Sequence, residues 1–159
     1  MNEERAAGTA AVTTVPQLLA ARGQTVGVAE SLTGGELAAA LSGPAGSSAT
    51  FVGGVVSYAT EVKRSLLRVT AERVVSAECA LQMAVGVRDL LAVDWALATT
   101  GVAGPDRQED QPVGTVHVAV AGPSGPRTRQ LSLTGDRAAI RGQAALGALD
   151  LLLEELTRG

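Results

Sequence analysis

Residues 46–63 read GSSATFVGGVVSYATEVK. The stretch holds a Gly-Ser-Ser turn, a hydrophobic run broken by a glycine pair, a tyrosine and the only lysine of the chain. Its direction decides the fold. Residues 54–59 (GVVSYA) read as a strand, and 47–52 read equally as a helical turn or as strand entry. A β-α-β crossover makes this strand parallel to the one before it. Lys63 then lies beside Ser31, and Ser48 sits near the opposite edge, because six strand residues span ~20 Å. If 47–52 is instead a short helix and the strand runs antiparallel, Ser48 reaches Lys63.

Upstream, residues 1–12 read as a flexible tail and 14–22 as a short helix, with Thr14 as cap and Pro16 in its first turn. A short apolar strand follows at 25–30. The turn Ser31 to Gly35 (SLTGG) leads into a helix at 36–42. Downstream, Thr60 is a candidate cap for a helix at 60–68, and Ser76 for one at 77–92. Residues 95–102 read as a strand ending in the turn Gly101 to Pro105, followed by a polar surface loop from Asp106 to Gln111. Residues 114–120 and 128–134 alternate as a hairpin, and Gly135-Asp136 opens a last helix over 137–157. Helices and strands alternate, then a hairpin and a helix close the chain. This predicts a three-layer α/β/α domain with a mostly parallel sheet and an antiparallel edge hairpin. Ligands of such folds sit beyond the carboxyl ends of the strands.

The chain has 159 residues, enough for one domain with a proper core, here spanning 13–159. Its net charge of −3 offers no basic stripe for nucleic acid or an anionic membrane. One cysteine, Cys79, and one histidine, His117, cannot form an internal disulfide or the usual structural zinc sets. No metal and no cofactor is expected. No signal peptide is evident, and no apolar run approaches the ~20 residues that span a bilayer. The expected location is the cytoplasm. The apolar helices suit a homo-oligomer.

Lys63 is the sharpest chemical signal. The other twelve basic residues are arginines, which stay protonated and cannot serve as bases. A lysine becomes a base when burial or a neighbouring cation lowers its pKa. A serine nucleophile needs such a base, and His117 lies mid-strand, so a Ser-Lys pair is the available arrangement. The turn 31–35 offers backbone N–H groups for an oxyanion or phosphate. It matches neither the P-loop nor the dinucleotide fingerprint. Tyr58 at a strand end reads either as a hydrogen-bond donor or as a half-buried strand aromatic. Arg137 and Arg141 share a helix face and suit a phosphate or solvent.

Six blocks then occur in order: AESLTGG (29–35), PAGSS (44–48), GVVSY (54–58) with Lys63, GVAGP (101–105), PVGT (112–115), and GDR (135–137) with Arg141. Together they resemble the CinA C-terminal domain family, including its stand-alone PncC-type nicotinamide-nucleotide amidohydrolases. The resemblance implies a metal-independent amidase that converts nicotinamide mononucleotide and water to nicotinic acid mononucleotide and ammonia through a Ser/Lys pair. It tilts the nucleophile toward Ser48, while the parallel-strand argument favours Ser31. Lys63 and Tyr58 complete the expected catalytic set. Glu30, Thr33, Gly34, Gly35, Gly104, Thr115, Arg137 and Arg141 are expected at a small-molecule nucleotide substrate. One departure stands out: the family commonly has paired glycines and a lysine where this chain has Asp106 to Gln111, with three acids. That loop supports a rival reading, a non-catalytic protein that binds a nucleotide or a partner. A third reading is an amidase for another small carboxamide.

Overall fold

The computed structural model describes residues 2–158, with side chains from residue 8 onward. Eight strands and helices of note follow the N-terminal helix α1 (Asn2–Arg22) and strand β1 (Val26–Glu30). They are α2 (Glu36–Ser42), β2 (Phe51–Val56), α3 (Thr60–Leu67), α4 (Ala77–Leu91), β3 (Trp95–Gly101), β4 (Thr115–Gly122), β5 (Gly125–Ser132) and α5 (Arg137–Thr157). A single turn of 3-10 helix at Ser47–Ala49 precedes β2.

The five strands form one sheet in the order β2-β1-β3-β4-β5. β1 is parallel to both β2 and β3, and β4 and β5 close the sheet as an antiparallel hairpin. The expected α/β/α class is therefore what the chain adopts. β1 is buried at all five positions, as a parallel strand covered on both faces must be, and its VGVA run is apolar accordingly. β5, at the far edge, alternates between half-buried and exposed residues. The sheet separates two cores. On one face α1, α2 and α5 pack around Leu19, Leu37, Leu97 and Leu149. On the other, α3 and α4 pack Leu67, Met83 and Val87 against the small residues Ala29, Ala96, Ala98 and Ala119.

Three sequence expectations are corrected here. The first helix starts at Asn2, not near residue 14, and takes in most of the expected tail. Ala11 and Val15 are fully buried, and Gly8 lies so close to Leu146 of α5 that a Cβ would stand 2.9 Å from that side chain. Packing on α5 thus outweighs the weak local signal, and Pro16 ends up inside the helix. The strand expected at 54–59 begins at Phe51 and ends at Val56. Gly54 lets it approach β1, since a Cβ there would stand 2.4 Å from Val28. The hairpin link is also tighter than expected, with Gly122 paired to Gly125.

Candidate active site

The parallel pairing of β1 and β2 sets the site. Val26 aligns with Phe51 and Glu30 with Val56, so both strands deliver their next residues, Ser31 and Ser57, to the same end of the sheet. The 3-10 turn carrying Ser48 lies at the other end, where the Val26 N–H donates to the Thr50 carbonyl (2.8 Å). A strand of this length separates the two ends by about 17 Å. The short helix at 47–49 is present, but the strand after it is not antiparallel. The structure does not bring Ser48 to Lys63. Ser48 is exposed, and its neighbour Ser47 donates to the Pro44 carbonyl as an ordinary turn serine.

Lys63 lies in the first turns of α3, just past the end of β2, and is 2% exposed. Its ammonium donates to Ser31 Oγ (2.9 Å), to the Ser57 carbonyl (2.7 Å) and to the Tyr58 carbonyl (3.2 Å). No carboxylate is bonded to Nζ among the described residues. Burial therefore pushes its pKa below the ordinary lysine value, against an opposing pull from the Cys79 thiol and the Glu109 carboxylate. Burial likewise pushes the Cys79 thiol up to about 11, partly offset by Lys63.

Ser31 opens a turn that is tied down on every side. Its N–H donates to the Thr99 carbonyl (3.1 Å). The Thr33 hydroxyl, fully buried, pairs with the Thr99 hydroxyl (2.8 Å). Gly34 and Gly35 take positive φ (56° and 110°) and turn the chain into α2. Glu30, also fully buried, accepts from the N–H groups of Leu37 (2.8 Å) and Ala38 (3.0 Å) and so caps α2 from the strand end. From α5, Arg141 donates through Nε to the Leu32 carbonyl (2.9 Å) and through Nη2 to that of Thr33 (3.3 Å), with Glu36 at 3.6 Å.

A cavity of about 430 Å³ opens beside Ser31 and Lys63, at the carboxyl ends of β1 and β3. Tyr58, Thr60, Thr100, the Gly101-to-Gln108 turn, Val74, Val75 and Arg137 complete its wall. Tyr58 is 59% exposed, and its hydroxyl accepts from Arg137 Nη2 (2.8 Å). Arg137 also donates to the Gly104 carbonyl, which precedes a cis peptide to Pro105.

Of the residues expected at the substrate, Gly104 and Arg137 line this cavity, alongside Ser31, Tyr58 and Lys63. Glu30, Thr33, Gly34, Gly35 and Arg141 lie behind the wall and shape the Ser31 turn instead. Thr115 does too little to reach it: it is buried at the start of β4, where its carbonyl accepts from Val102 N–H (2.9 Å). Arg141 engages the backbone carbonyls of Leu32 and Thr33 while part of its side chain stays exposed. Sequence reasoning passed over Arg107, Thr100 and Glu109. The 106–111 loop reads as solvated polar chain, and only its contact with residues 73–75 reveals otherwise. Among the described residues, no group of three or more His, Cys, Asp or Glu side chains is placed to hold a metal ion. No helix among them is long and apolar enough to cross a membrane.

This fold and arrangement can be set beside known proteins. The family model for the CinA C-terminal domain matches residues 9–156. A solved CinA superfamily protein from Klebsiella pneumoniae is 38% identical, with a TM-score of 0.90 over 96% of this chain and 99% of its own. A competence/damage inducible protein from Agrobacterium tumefaciens is 33% identical, with a TM-score of 0.89 over 96% of each chain. A CinA-like protein from Frankia casuarinae is 54% identical over 85% of this chain and 32% of its own length. The chain belongs to the CinA C-terminal domain family. It spans about a third of the length of the curated CinA-like relatives it matches.

Proposed function

We propose that the chain is a PncC-type amidohydrolase acting on nicotinamide mononucleotide. The observation that carries this reading is the buried Lys63 amine 2.9 Å from Ser31 Oγ, at the edge of a cavity. In the neutral amine the two remaining N–H bonds point to the Ser57 and Tyr58 carbonyls, and the lone pair accepts the Ser31 hydroxyl proton. Oγ then attacks the carboxamide carbon. The oxyanion forms against the backbone N–H of Leu32, the residue of this turn that follows Ser31 in the cavity wall. Lys63, now protonated, passes its proton to the leaving nitrogen, and ammonia departs. Water, deprotonated by the same amine, attacks the acyl-serine; the C–Oγ bond breaks, Lys63 returns the proton to Ser31 Oγ, and nicotinic acid mononucleotide leaves. Within this reading Ser31 is the nucleophile, and Tyr58 and Arg137 form the facing wall.

Burial of the amine supports general-base chemistry because it favours the uncharged form before substrate arrives. The acids of the 106–111 loop are the support for a non-catalytic binding protein. That support is reduced by Glu109, whose carboxylate is bonded to backbone N–H groups of Val74 and Val75. The reading includes a cytoplasmic setting and a homo-oligomer, the latter supported by the exposed apolar residues Val52, Val56, Leu66 and Leu90. The test is ammonia release from nicotinamide mononucleotide by the parent chain, Ser31→Ala, Ser48→Ala and Lys63→Arg side by side. Activity in the parent and in Ser48→Ala alone is the expected result. Thermal stabilisation by the nucleotide with no ammonia from the parent would leave a binding protein.

A further inference from the structure

The 106–111 loop carries three acids and reads as a surface loop, yet it is not loose. Gln108 and Gln111 pair through their backbones, with Gln111 N–H donating to the Gln108 carbonyl (2.8 Å). The two residues between them, Glu109 and Asp110, hold left-handed backbone (φ 50° and 61°). Asn-Gly, Asp-Gly or Gly-Gly normally fills the two places of such a turn. Here the tip carries a carboxylate that is used. Glu109 Oε2 accepts from Val74 N–H (3.0 Å) and Oε1 from Val75 N–H (2.6 Å), while Arg73 donates to the Glu109 carbonyl (3.4 Å). Segment 73–75 is itself fixed, since the Thr100 hydroxyl donates to the Val74 carbonyl.

The loop is thus tied at both ends, by Glu109 and by the Gly104-Pro105 turn that Arg137 holds. Between the ties lies Arg107, in the wall of the same cavity as Arg137. Arg107 donates to the Asp110 carbonyl (2.7 Å) within its own hairpin. Among the described residues neither Arg107 nor Arg137 has a carboxylate partner. Asp106 lines the same wall, and the two guanidinium groups, with no carboxylate in salt-bridge contact, outnumber it and leave a net positive lining that suits an anion.

We propose that Glu109 is a positioning residue that latches the loop onto residues 73–75 and so holds Arg107, with Arg137, as the receptor for the anionic group of the ligand. The ligand's identity rests on the amidase reading above, in which that group is the 5′-phosphate. The Glu109 carboxylate then serves recognition of an anion instead of opposing it.

The test compares nicotinamide mononucleotide with nicotinamide riboside, which lacks the phosphate. Binding is measured by calorimetry in the Ser31→Ala background, so that turnover does not consume the ligand. The mononucleotide is expected to bind at least about tenfold more tightly than the riboside. Arg107→Ala and Glu109→Ala should each erase most of that preference and leave riboside affinity unchanged. The double variant should lose no more than Arg107→Ala alone, because the latch acts through the arginine. Glu109→Gln keeps one carbonyl acceptor for the two N–H groups and should restore part of the preference. It also carries the test if Glu109→Ala does not fold. The proposal is overturned if the parent shows no preference for the mononucleotide. It is equally overturned if Glu109 variants weaken both ligands alike, or if the two alanine effects add. Ammonia release from the unmutated chain is scored separately, so failure of the amidase reading is not confused with failure of the latch.

Discussion

The chain carries two glycine-rich turns with serines, and they have opposite fates. The first, Ser31 to Gly35, sits at the carboxyl end of β1, an interior strand. Both glycines take positive φ there, and Thr99, Glu30 and Arg141 fix the surrounding backbone. The second, Gly46 to Ala49, sits at the amino end of an edge strand, and Ser48 is exposed. Both turns read alike as Gly/Ser punctuation. They differ because a parallel crossover puts only the ends of strands, never a start and an end, on one rim. A lysine at the end of β2 is therefore available to Ser31 and denied to Ser48. The local motif supplies the hydroxyl, and the topology selects which one meets the lysine.

The widest separation between the turns is expected in catalysis. Ser31→Ala should lower ammonia release by at least about a thousandfold, as loss of a nucleophile does, and Ser48→Ala should stay within about twofold. The reverse pattern in the same assay would break the comparison outright. Lys63→Arg should cost roughly 10²–10⁴-fold while keeping the charge, since a guanidinium does not release its proton. Near-normal turnover by that variant would remove the lysine from the chemistry.

The pH dependence sharpens the contrast further. In the proposed mechanism the neutral amine is the base, so kcat/KM should rise with pH through an inflection below the ordinary lysine value of 10.5. Stability should move the same way. Between the depressed native pKa and the ordinary one, the unfolded chain holds a proton that the native chain has released. Unfolding free energy then increases as pH rises across that window. In Lys63→Met, both the kinetic inflection and this rise should vanish, and denaturation curves taken at several pH values would show it. The smallest difference concerns folding alone. Glu30→Ala removes both acceptors of buried α2 amides and should cost about 3 kcal/mol in denaturant unfolding. Ser47→Ala loses one hydrogen bond to the Pro44 carbonyl and should cost about 1 kcal/mol.

What was legible in the sequence follows from how local each cause is. α5 was readable to the residue because Asp136 caps it, accepting from Ala139 N–H (2.8 Å). Ser76 does the same for α4, accepting from Cys79 N–H (3.1 Å). Lys63 was legible as chemistry because it stands alone among arginines. The start of α1 was not, since it depends on contact with a helix more than a hundred residues away in sequence. Glu30 illustrates a signal that was present and misassigned. A buried acid seven residues before the amide it receives fits the electrostatics of a helix start, which a reading aimed at substrate contacts overlooks. Arg107 and Glu109 could not be placed at all, because their partners lie on a different loop.

The contacts of α5 have a bearing on how the protein is made. Arg137 and Arg141 lie close to the end of the chain, yet they bond to Tyr58, Gly104, Leu32 and Thr33. During synthesis the serine, the lysine and the cavity floor all leave the ribosome before the residues that pin them. Until α5 docks, Ser31 and Lys63 therefore stand without the two arginines that brace the cavity wall and the Ser31 turn.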